Sequence, residues 1–63
     1  MTTAYLMLSR SRQELAAECR DAALIYAGYA ATARAAAHDP VADHFETLAD
    51  LRRRRARELS FDA

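Results

Sequence analysis

Residues 22–45 read AALIYAGYAATARAAAHDPVADHF, and most of the fold is decided within them. From Ala22 to Ala33 no residue is charged. Pro40 is the only proline and Gly28 the only glycine of the 63-residue chain. Such sparse punctuation disfavours a β-rich fold and points to long helices. The single convincing break is AHDPVADHF, residues 37–45. Asp39 suits the cap of a second helix, with Pro40 at its first helical position, where a missing N–H costs nothing. His38 falls near the end of the first helix, where a cation suits the dipole.

Working outward, SRQE (residues 11–14) reads as the start of the first helix, with Ser11 and Glu14 forming a capping box. From there Leu15, Cys19, Ala22, Tyr26, Tyr29, Ala33 and Ala36 recur in alternating steps of four and three, a heptad seam. In the second helix Val41, Phe45, Leu48, Ala49, Ala56 and Leu59 share a face. The short connection predicts an all-α, antiparallel two-helix hairpin. The expected boundaries are 11–60 for the hairpin, with helices over about 11–37 and 40–60, and 61–63 as a tail. Residues 1–10 read either as an N-terminal arm or as an extension of the first helix.

The uncharged run carries more apolar surface than one neighbour can cover. Leu24 and Ile25 point away from the Ala22, Tyr26 and Tyr29 row, and a helix apolar all round is normally buried all round. Two accounts are open: burial against another chain, or a run whose alanines and Thr32 tolerate water. The first leads to a symmetric homodimer forming a four-helix bundle. Its interface would hold Leu24, Ile25, Tyr26, Gly28, Tyr29, Phe45 and Leu48. Gly28 would there permit close approach of a partner helix, or else be a tolerated neutral change.

Composition narrows the function classes. Nine acidic residues balance nine basic ones, so the molecule has no long-range pull on nucleic acid or anionic lipid. Every base is an arginine, a usage that fits a bacterial genome rich in G and C. Cys19 is the only cysteine, so no disulfide closes within one chain, and a reducing cytoplasm is the expected location. The opening MTTAYLML lacks a basic region and a long apolar core, so no secretory signal is expected. No apolar stretch approaches the ~20 residues that span a bilayer.

The run LADLRRRRARELS (residues 48–60) raises the question of nucleic acid. Successive helical residues advance by about 100°, so Arg52 to Arg55 spread around the helix instead of forming a stripe. Glu46, Asp50 and Glu58 surround them, with Asp50 and Arg54 spaced as an i,i+4 pair. A solvated, internally paired helix is expected, not a nucleic-acid site. Arg52 and Arg55 continue the line of Val41, Phe45 and Leu48. Arg55 is expected to pair with Glu18 or Asp21, the arginine stems covering apolar surface.

Chemical sites are few. His38 and His44 flank Asp39 and Asp43, but the spacing matches no standard ligand pattern, and capping and surface roles are expected instead. Cys19 on the seam reads as a buried, inert thiol. No Ser/His/Asp or phosphate-cradling arrangement is present, so neither an enzyme nor a cofactor or metal is expected.

The stretch from Leu15 to Leu59 resembles half of a ferritin-like bundle. The matching pieces are ECRDAALIYAGYAATA (18–33) and DPVADHFETLADLRRRRAREL (39–59): a tyrosine followed by small residues, a D-P loop, then F-x-x-L-A. In metal-binding relatives a Glu-x-x-His motif follows the L-A pair. Here those positions fall on Arg52 and Arg55, so the resemblance implies a degenerate member without di-iron chemistry. Length, the hairpin and HFETL (44–48) also resemble the helical-hairpin chaperones of bacterial type III secretion. That likeness implies a heterologous protein partner as cover for the same apolar helix.

Overall fold

Two rows of alanine hold this chain together. In the computed structural model, which describes residues 10–61, α1 spans Arg12–Ala35 and α2 spans Asp39–Phe61. The pair packs as an antiparallel hairpin. Ala16, Ala23 and Ala30 recur every seven residues along α1, and Ala42, Ala49 and Ala56 do so along α2. All six are 3 % exposed or less. A hairpin turning about Ala36 sets residues equidistant from it at one level. This places Ala16 by Ala56, Ala23 by Ala49, and Ala30 by Ala42. Between these levels lie others of mixed size. Arg12 Nε donates to the Leu59 carbonyl at 3.3 Å, Cys19 and Arg52 line one hollow, and Tyr26 stacks on Phe45 with centroids 6.2 Å apart.

The expected seam in the first helix is therefore rotated by one position. Cys19, Tyr26 and Ala33 do lie half-buried along it, but Leu15, Ala22 and Tyr29 flank it, and Ala16, Ala23 and Ala30 take their places. On α2 the buried row includes Ala42 in place of Val41, which is exposed. The physical reason is size. An alanine facing an alanine lets two backbones approach closely, and a large side chain at that level would hold them apart. Leu59 is the only large side chain buried among the described residues.

The two ends of α1 and the start of α2 each have their own device. Ser11 is the N-cap of α1, and its hydroxyl accepts from the Glu14 backbone N–H at 3.1 Å. At the other end the His38 N–H donates to the Ala33 carbonyl (2.8 Å) and the Ala37 N–H to the Arg34 carbonyl (3.0 Å). This paired pattern is the Schellman motif, and it needs a left-handed residue where glycine is usual. Ala37 fills that place at φ 61°. The next helix begins one residue earlier than expected. The Ala42 N–H already donates to the His38 carbonyl, so Asp39 lies inside the first turn, where its charge suits the helix dipole. The N-terminal arm considered for residues 1–10 lies, but for Arg10, outside the described residues. α2 runs to Phe61, the first residue of the tail expected at 61–63; residues 62 and 63 lie outside the described residues.

Gly28 is exposed on the outer side of α1, and a Cβ built there meets nothing within 4 Å. The two special backbone positions are thus occupied the wrong way round for stability, an alanine at positive φ and a glycine inside a helix. Ala37→Gly should stabilise the protein by about 1 kcal/mol through relief of left-handed strain. Gly28→Ala should add about 0.5–1 kcal/mol. Thermal melts at fixed protein concentration should show each Tm rising by several degrees, at about 4–8 °C per kcal/mol for this size. A fall in Tm for Gly28→Ala would mean that another helix approaches there.

Candidate functional site

The alanine seam divides the remaining surface into two faces of opposite chemistry. On one side of it run Arg20, Ala27 and Arg34 of α1, opposite Glu46, Asp50 and Arg53 of α2. This side is ionic. Arg34 Nη2 reaches Glu46 at 2.8 Å and Asp43 at 3.2 Å, and Arg34 Nη1 lies 3.6 Å from Asp39. Arg53 pairs with Asp50 at 2.8 Å. The hydrogen bond to Glu46, then that to Asp43, holds the Arg34 pKa above its ordinary value. One side chain at the last turn of α1 is thereby tied to the first two turns of α2, across the connection.

The other side is mostly apolar toward the turn. It carries Leu15, Ala22, Ile25 and Tyr29 of α1 and Val41, Leu48 and Leu51 of α2, with Tyr26 and Phe45 between them; by the same seven-residue spacing it also carries, toward the open end, Glu18 and the paired Arg55 and Glu58. Phe45 anchors an aromatic cluster, 5.3 Å from the Tyr29 ring and 5.6 Å from the His44 ring. Ile25 is 55 % exposed, Tyr29 53 % and Leu51 53 %. Six large apolar side chains of the described residues are exposed: Leu15, Leu24, Ile25, Tyr29, Val41 and Leu51. By helical position all but Leu24 fall on this one face. At its open end Leu15, Glu18, Cys19, Ala22 and Arg52 line a hollow of about 330 Å³.

The interface residues read from sequence are thus only partly brought together. Ile25, Tyr26, Tyr29, Phe45 and Leu48 share the apolar face. Leu24, 71 % exposed, lies across the seam beside Arg20 and Arg53, and Gly28 lies on the outer side. Leu51 escaped the sequence reading. Its neighbours Asp50 and Arg52 hide it in a charged run, and only its position three residues after Leu48 marks the face.

The arginines scatter as their helical spacing requires. Arg52 lies at the apolar hollow, Arg53 turns to Asp50, Arg54 is exposed, and Arg55 pairs with Glu58 at 3.1 Å. The pairing expected between Arg55 and Glu18 or Asp21 is not what forms: Glu18 pairs with Arg10, and Arg55 takes Glu58, one turn along its own helix. Asp50 likewise takes Arg53, not Arg54. Cys19 is a half-buried free thiol. Among the described residues no group of three His, Cys, Asp or Glu side chains is placed to hold a metal ion. No helix of the described residues is long and apolar enough to cross a membrane.

In comparisons with known proteins, no family model, no curated protein and no solved structure matches this chain. The ferritin-like and secretion-chaperone likenesses of the sequence therefore rest on their short motifs alone.

The ionic face makes a checkable demand. Exposed pairs are weak singly and screened by salt, but Arg34 joins three carboxylates. Arg34→Gln should lower the Tm at low ionic strength. The difference from the parent protein should shrink as salt is raised to about 1 M, where the Debye length falls to about 3 Å. A salt-independent difference in the melts would show that Arg34 acts through packing instead.

Proposed function

We propose that this chain is a non-enzymatic interaction module of the cytoplasm, a helical hairpin that self-associates through its apolar face into a four-helix bundle. The observation that carries this reading is the gathering of Leu15, Ile25, Tyr29, Val41 and Leu51 on one side of a single layer of helices. The Cα trace is 12 Å through at its thinnest, and stable domains are built from at least two packed layers. Magnitudes point the same way. Burying a methyl-sized group contributes only about 0.8 kcal/mol, whereas burying a Leu, Ile or Phe side chain contributes about 1.5–3 kcal/mol. The hairpin keeps the small groups inside and leaves the larger gain to be made elsewhere.

The face is large enough for a stable dimer. A helix of 24 residues is about 36 Å long, and two helices side by side are about 20 Å wide. A fully covered face would bury roughly 700 Å² per copy, within the range of specific interfaces. A second copy offers the same apolar surface, which is the condition for a two-fold interface.

Light scattering at low micromolar concentration should give a dimer. The double variant Ile25→Glu, Leu51→Glu should give a folded or partly folded monomer, since both side chains are exposed in the single hairpin. Leu24→Glu, on the ionic face, should leave the dimer intact. A monomeric parent protein with cooperative unfolding would contradict the reading. So would an equal response to Leu24→Glu. An aggregating chain rescued only by a different protein would replace it with the chaperone-like alternative.

A further inference from the structure

The apolar face is not uniform along its length, and its two halves complement each other. Near the turn it is raised by Tyr26, Tyr29 and Phe45, with Tyr29 half-exposed. Toward the open end it sinks into the hollow of about 330 Å³ lined by Leu15, Cys19 and Ala22 together with the charged Glu18 and Arg52. A bulge and a hollow on one face fit each other only if a second copy is laid on reversed.

We propose that the two hairpins pack with their turns at opposite ends, and that Tyr29 of each fills the hollow of the other. This rests on the self-association proposed above and adds its geometry. Two hairpins stacked face to face by a two-fold axis have two arrangements. With turns at the same end, α1 lies over the partner's α2 at matched levels. The bulky rings of both copies then meet at one level while the two hollows face each other unfilled, so the surfaces do not close and packing contacts are lost. With turns at opposite ends, α1 lies over the partner's α1. Reversal about the middle of Arg12–Ala35 carries residue 29 to the level of residue 18, the centre of the hollow. The same reversal brings Arg52 to the level of the other copy's Phe45. A guanidinium held against an aromatic face is attracted to it. The one cation lining the hollow thereby meets rings in the reversed dimer.

Native Cys19 lines the hollow and makes the test direct. In Tyr29→Cys, mild oxidation should produce a covalent dimer in which Cys19 of each copy is joined to the introduced thiol at position 29 of the other, identified by peptide mass spectrometry. With turns at the same end, positions 19 and 29 are separated by ten residues along the bundle, about 15 Å, too far for a disulfide. Since Tyr29→Cys removes the inserting ring, a second variant carries photo-crosslinking benzoylphenylalanine at position 29, with adducts expected on residues 15–22 of the other copy. A dimer whose adducts map to residues 41–48, or that gives none within 15–22, overturns the arrangement while leaving self-association standing. A parent protein that is monomeric by light scattering overturns both.

Discussion

Close approach of two helices along an alanine seam is the constraint from which the rest of the molecule follows. At three levels, seven residues apart, each helix offers a methyl group to the other. Nothing larger fits there, so the large apolar side chains are displaced to the flanks. Displacement on both helices to the same flank gathers most of them on one face, while Arg34 and its three carboxylates and the Asp50–Arg53 pair take the other. The interior of the hairpin is therefore a specification of geometry more than a source of stability. Six alanines and Leu59 fix how the helices align, while six large apolar side chains of the described residues stay exposed. A small chain of this kind ordinarily relies on a metal, a disulfide or oligomerisation, and a single cysteine closes no disulfide within the chain.

The ionic side follows from the same division. Arg34 gathers Asp39, Asp43 and Glu46 around the connection, and this keeps the turn closed where Ala37 is strained. The arginine run of residues 52–55 is not one surface. The helix sends Arg53 to the ionic face and Arg55 to Glu58 on its own helix. Arg52 is left on the hollow of the apolar face. A cation at the edge of apolar surface is costly to desolvate unless something meets it, so any layer covering this face would have to meet the charge of Arg52.

The hairpin itself was legible because the sequence offers one break in some fifty helical residues. The Ser11 cap was legible too, since a short side chain three residues ahead of Glu14 has few other uses. The phase of the first seam is not legible from size: Leu15 and Tyr29 suit a core row as well as Cys19 and Tyr26 do, and alanines occur in both candidate rows, Ala22 and Ala36 in the expected one and Ala16, Ala23 and Ala30 in the observed one. The signal lay in the phase of the alanines. Alanine recurs at seven-residue spacing on both helices, and the two rows fall opposite each other only when Ala16, Ala23 and Ala30 face Ala42, Ala49 and Ala56. The partners of Arg55 and Asp50 are not legible for a different reason. Long side chains on a helix choose between neighbours three and four residues away by small rotamer differences, and sequence spacing does not discriminate between them.

The central claim is that one layer of helices is completed by a second laid upon its apolar face. Solution X-ray scattering tests it most directly, because it reports mass and dimensions together. Stacking two hairpins adds a layer about 8–10 Å away along the thin axis. The account predicts a mass twice the 7.0 kDa of the chain and a radius of gyration only about 1 Å above that of a single hairpin. A mass of one chain would contradict it, and so would a doubled mass with a much larger radius, the signature of hairpins joined end to end or edge to edge.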